Sequence, residues 1–243
     1  MSSVTCDNCH QPLPRQADFC PACGQSIKVI TRPWREVFGE LVTELLDFDG
    51  RMLISLRFLL TRPGFLSFEY INGRRLSYTS PVRMYLVTSL VFFFVLPLIL
   101  PESTVSNSPQ EVAVDQYSQA MFLLLPIFAL LLKILYQQTF YLVHVVFAVH
   151  LFSAMFIVFA AMLSIETAAD RYIAVMVVQI VLLFYMMAYF LIALRVTYRE
   201  SWLKSSLKFL ALISIFLPII GGAIELASHI KSQAVPSILY SDS

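Results

Sequence analysis

Five apolar stretches, Val82 to Leu100, Tyr117 to Tyr136, Phe140 to Ile165, Tyr172 to Leu194 and Leu207 to Ala227, take up most of the chain after residue 81. Each is long enough, at about 1.5 Å per residue, to cross a hydrocarbon layer of about 30 Å. Backbone amides in lipid have no water to bond, so segments of this length and composition fold as helices. The links "QQT" and "ETAADR" are short enough to force antiparallel neighbours. With 58% hydrophobic and 14% charged residues, the chain falls outside the range of soluble domains. The expected fold is an all-α polytopic membrane protein of about five transmembrane helices.

The N-terminus has a different chemistry. All four cysteines fall in "CDNCHQPLPRQADFCPAC" as C-x2-C-x10-C-x2-C: Cys6, Cys9, Cys20 and Cys23. Two such knuckles a short loop apart place four thiolates at the corners of a tetrahedron, the preferred structural coordination of zinc. The competing readings are two disulfides, which a reducing cytosol disfavours, and a redox pair, which needs a thioredoxin-like scaffold absent here. His10 stands after the first pair where Gly24 stands after the second, and as a competing ligand it would enter a shell that four cysteines already fill. Residues 1–30 hold no apolar run of signal-peptide length, so the ribbon is expected in the cytosol. The expected cofactor is structural zinc. A segment this small buries almost no core and should fold only with its metal.

Four regions follow: a zinc ribbon over 1–27, an amphipathic, interfacial helical region over 33–80, a transmembrane helical bundle over 81–228, and a short tail over 229–243. In the second region Trp34, Val37, Phe38, Leu41, Val42, Leu45 and Leu46 make one apolar stripe of a helix, opposite an acidic row of Glu36, Glu40 and Glu44. "DFDG" ends that helix, with Gly50 as its stop, and a second apolar segment runs from Met52 to Leu60 before "RPG". From Arg51 to Arg83 six arginines face one acid, Glu69, with aromatic residues interleaved. In a soluble chain this mixture would raise nucleic acid as a partner; directly before a span it reads as an interfacial belt, with Arg74, Arg75 and Arg83 at lipid phosphates. Nucleic acid is disfavoured, and the lipid bilayer is the expected partner.

Charge asymmetry sets the orientation. With the N-terminus inside, fifteen of the 17 basic residues lie on the cytosolic side and only Arg171 and Lys231 outside. The expected topology is a multi-pass membrane protein with its N-terminus inside and its C-terminus outside. The second stretch, interrupted by Pro126 and Lys133, is the one whose full crossing the sequence leaves open.

Chemistry within the bundle is sparse. His144 and His150 on the third span are six residues apart, about 240° of helical rotation, so they do not share a face and cannot chelate one ion from a single helix. With Gln179 of the fourth span they form a candidate intramembrane polar site, read first as an interhelical hydrogen bond and second as a proton relay or ligand site. No H-E-x-x-H or G-x-S-x-G occurs, so no catalytic residue is assigned and an enzyme is disfavoured. Two functional classes stay open. One is a membrane-anchored adaptor or sensor whose ribbon docks a cytosolic protein partner; the other is a small transporter or channel using the intramembrane histidines and Gln179.

The string "DFDGRMLISLRFLLTRPGFLSFEYINGRRLSYTSPVRMYL", the later "FYLVHVVFAVH" and the ribbon ending "FCPACGQ" resemble the bacterial membrane proteins of the domain of unknown function 3667 family. The resemblance covers about residues 6 to 155, and its most specific part is the R-P-G, Y-I-N-G-R-R, S-Y-T-S-P series. It implies an N-terminal zinc ribbon on a multi-span bacterial protein and no reaction, so the expected location is the inner membrane, with a cytoplasmic N-terminus and a periplasmic C-terminus. The last two spans rest on hydropathy alone.

Overall fold

The structure is a computed structural model that describes residues 5–14, 17–25, 50–99, 124–168 and 172–238. After the ribbon the described chain is helical, with α1 at Gly50–Thr61, α2 at Phe65–Ile71, α3 at Pro81–Ile99, α4 at Leu124–Leu135, α5 at Tyr141–Ala168, α6 at Tyr172–Tyr198 and α7 at Trp202–Ile238. The expected amphipathic helix over residues 34–46 and the acidic loop from Glu102 to Asp115 lie outside the described residues.

Local signals set each boundary. Pro63 has no N–H and restricts Arg62, so α1 stops before "RPG". Gly64, at φ 76°, turns the chain into α2. The Asn72 side chain closes α2 by donating to the Phe68 carbonyl at 2.7 Å, and Gly73, at φ 92°, carries the chain away. Pro81 opens α3 at the one helical position where a missing N–H costs nothing. Lys133 caps the end of α4 by donating to the carbonyls of Gln137 and Thr139, both at 2.7 Å. Gly50 begins α1 instead of serving as the stop expected from "DFDG".

α5 is the central helix. Some 61% of its most apolar window is buried, against 22% for α6 and 17% for α7, so the latter two present their aliphatic sides outward. On α5, Phe156 takes the rings of Tyr85, Phe92 and Phe93 from α3 at 5.3–5.7 Å, and α3 packs along it. On its other side Phe128 of α4 meets Phe152, Phe190 and Phe216, the last at 4.9 Å between centroids. The short hairpin of α1 and α2 leans on α5 and α6. There the hydroxyls of Tyr189 and Tyr185 donate to the carbonyls of Leu59 and Leu60, which α1 leaves without helical partners.

Among the described residues three helices are long and apolar enough to cross a membrane: Tyr141–Ile165, Ile173–Tyr198 and Trp202–Gly222. α3 and α4 contribute shorter apolar helices, Pro81–Leu96 and Leu124–Leu135. Residues 117–123, where the second expected span begins, lie outside the described residues. α7 continues past Ala227 to Ile238, so much of the stretch read as a tail is helical. No strand is present among the described residues; the ribbon contains an isolated antiparallel bridge from Thr5 to Pro12, and Phe19 is a further bridge residue.

Candidate metal centre and its seat

The two cysteine knuckles are built alike. In the first, the Cys6 N–H donates to Gln11 O at 2.9 Å and His10 N–H returns to Cys6 O at 2.8 Å; in the second, Cys20 N–H donates to Gln25 O and Gly24 N–H to Cys20 O, both at 2.8 Å. Each knuckle needs a left-handed residue after its second cysteine, and His10 at φ 61° and Gly24 at φ 75° occupy those places. That is the structural reason for the His10–Gly24 correspondence in the sequence. His10 belongs to the turn and stands outside the ligand cluster.

Cys6, Cys9, Cys20 and Cys23 bring their sulfurs within 4.8 Å of one another, with Cys6 and Cys23 at 3.7 Å and Cys9 and Cys20 at 3.5 Å. All four are free thiols. Zinc–sulfur bonds of about 2.3 Å in a tetrahedron require sulfurs about 3.8 Å apart, so the donor set fits a four-coordinate metal of the zinc type. Four thiolates fill that shell and leave no open position for a substrate or water. A metal here would hold structure.

The ribbon sits on the loop between α2 and α3. The Gln25 side chain donates to the Gly73 carbonyl at 2.8 Å and accepts from the Arg75 N–H at 3.4 Å, so its amide pairs with the loop backbone. Arg74 Nη2 donates to His10 Nε2 at 3.4 Å, and Ser77 Oγ donates to Asn8 Oδ1 at 3.0 Å. Gly73 lies so close under the first knuckle that a Cβ would stand 2.7 Å from the Asp7 Cβ. Arg74 is held for this role by the buried Glu69 carboxylate at 2.6 Å, and Arg75 lies 5.4 Å from the Tyr70 ring. Burial, then the Glu69 carboxylate, push the Tyr78 phenol above its ordinary range, so it keeps its proton beside this cluster.

The three arginines read as a lipid-interface group thus part company. Arg74 and Arg75 build the ribbon's seat. Arg83, in the first turn of α3, is buried.

Residues 49–93 match DUF3667, a protein of unknown function. The match bears out the resemblance read from the sequence and spans α1, α2, the whole seat and most of α3. No curated relative and no solved structure matches the chain.

The polar residues of the bundle are dispersed. His144 Nε2 lies 2.9 Å from Thr139 Oγ1, whose own proton goes to Tyr136 O at 2.8 Å, so the ring N–H donates to Thr139 and Nδ1 accepts from Tyr198 OH at 2.7 Å. His150 Nδ1 meets Ser67 Oγ of α2 at 3.0 Å. That is the spacing of a nucleophile and its base, here between two buried side chains, Ser67 at 1% and His150 at 4% exposure. Gln179 lies nineteen residues before Tyr198 on α6, about 28 Å along the helix at ~1.5 Å per residue. The structure therefore does not bring the histidines and Gln179 together. Thr139, Tyr198 and Ser67, the partners found instead, carried no sequence signal, because hydroxyl residues at helix ends are too common to single out.

Proposed function

We propose that the chain is a membrane-anchored adaptor or sensor whose zinc ribbon, seated on the DUF3667 segment, docks a protein partner on the cytosolic side of a five-span bundle. The observation that carries this reading is the way the ribbon is held. Asp7, Asn8, His10 and Gln25 are turned to the seat, while Phe19, beside the ligand Cys20, remains 55% exposed. An aromatic ring fixed by a metal knuckle and left in water is the type of anchor that interfaces bury at their centre. The seat in turn is continuous with α2 and α3, so a change at the ribbon reaches the helices through the loop.

Phe19→Asp tests the docking face. The variant should keep one zinc per chain and its place on the seat, yet lose at least tenfold in partner recovery when the full-length protein is captured from native membranes. Undiminished recovery would contradict docking through this face. Transport has no comparable support: the histidines are held in local hydrogen bonds, and the cleft between α4, α5, α6 and α7 is lined by Phe, Leu, Ile and Met alone, including Phe128, Met155 and Phe216.

A further inference from the structure

Arg83 is the third residue of α3 and only 5% exposed. Among the described residues its Nε has no hydrogen-bond partner and no carboxylate pairs with it. A guanidinium stays protonated in a protein, so this is a standing buried charge. Its position raises the cost further, since the first turn of a helix carries the positive end of the macrodipole and repels a cation. A lone buried charge costs several kcal/mol in general, and natural sites offset it with an opposite charge.

The surroundings say which kind. Thr79, two residues before α3, is 6% exposed, and its Oγ1 also lacks a partner. Its backbone is fixed, because the Thr79 N–H donates to the buried Ser55 Oγ of α1 at 2.9 Å. Met84 N–H is taken by Ser80 O at 3.0 Å, but helix geometry leaves the N–H groups of Val82 and Arg83 without an intrahelical acceptor, and Pro81 has none to offer. Helical side chains tilt toward the N-terminus, which is the direction in which Thr79 lies from Arg83 along the chain. The constellation is a cation, a hydroxyl and free amides at a positive helix end, with no carboxylate among them. That donor set selects an oxyanion.

We propose that Arg83, Thr79 and the N-terminal turn of α3 form a binding site for a phosphate group. The site lies where the polar loop 72–80 gives way to the apolar run of α3, the level at which a bilayer presents its phosphates. A lipid headgroup and a free phosphate share this chemistry, and the test separates them.

The full-length, zinc-loaded protein is delipidated in a neutral detergent, and its melting temperature is followed against phosphatidylglycerol, phosphatidylcholine and inorganic phosphate. Ligand that binds the folded state alone raises the melting temperature by mass action. The expected result is a saturable rise in wild type whose half-saturation is at least tenfold weaker in Arg83→Gln and reduced in Thr79→Val. A rise with the phospholipids assigns the site to a headgroup; a rise with inorganic phosphate assigns it to a soluble ligand. Without ligand, Arg83→Gln should melt no lower than wild type, because it removes an uncompensated charge, whereas an arginine serving only as structure would leave the variant less stable. Thr79→Val keeps the test open should Arg83→Gln fail to fold. No rise in wild type with any of the three, or an equal rise in both variants, overturns the proposal.

Discussion

Removing zinc from the full-length protein should unfold residues 5–25 and leave α3, α5, α6 and α7 folded. The ribbon has isolated β-bridges and no strand, and among the described residues it buries two cysteines, Cys6 and Cys20, but no aliphatic or aromatic side chain. Apolar burial therefore cannot offset the conformational entropy of ordering this segment. A structural zinc contributes on the order of 10–16 kcal/mol, nearly all of it to folding. The helices, with cores around Phe156 and Phe128, do not draw on that term. Chelation, or Cys20→Ser with Cys23→Ser, should expose residues 5–25 to limited proteolysis while the far-ultraviolet helix signal changes little. Protein that carries no zinc and still protects this segment would show that the knuckles fold by other means.

Gly64→Ala should be the most damaging single substitution in the hairpin. Gly64 has φ 76°, and a Cβ would stand 2.6 Å from Ala193 O and 2.9 Å from Ala193 Cα, with Thr197 Oγ1 at 3.0 Å. The obstacle is the backbone of α6, which cannot rotate away as a side chain would. Left-handed strain of about 1–3 kcal/mol and overpacking of similar size add to a loss of roughly 3 kcal/mol or more. Gly50→Ala is the control: no atom lies within 4 Å and φ is ordinary, so the change should stay within about 1 kcal/mol of wild type. Thermal unfolding of the two variants in detergent reads the difference. A Gly64→Ala protein as stable as Gly50→Ala would mean that α1, α2 and α6 do not meet as described.

Reading the chain in order shows where sequence reasoning reaches its limit. The cysteine cluster is legible because four candidate ligands fall within eighteen residues and their chemistry depends on spacing. Helical spans were legible from hydropathy, since lipid leaves a long apolar segment few choices. The seat was not: Gln25 and Gly73 are 48 residues apart, Asn8 and Ser77 are 69, and nothing local to either partner marks the contact. "INGRR" reads as part of a lipid belt because arginine beside aromatic residues fits that environment; in the fold Arg74 also pairs with Glu69 and reaches His10, contacts that no local signal marks. The expected pairing of a histidine with Gln179 failed for a related reason. Periodicity gives the angle of a residue around its helix, but depth depends on how neighbouring helices are staggered, and here Tyr198, not Gln179, stands level with His144.

The claim at the centre of this account is that zinc holds the ribbon on the loop joining α2 to α3. Hydrogen exchange of the full-length protein in lipid nanodiscs tests it directly, comparing the zinc-loaded form, the chelated form and Gly73→Ala, whose new Cβ would collide with Asp7. The account predicts that residues 72–78 exchange faster in both altered forms while α5 keeps its protection, and that residues 5–25 lose protection on chelation but stay folded in Gly73→Ala. Unchanged exchange over residues 72–78 after zinc is removed would contradict it.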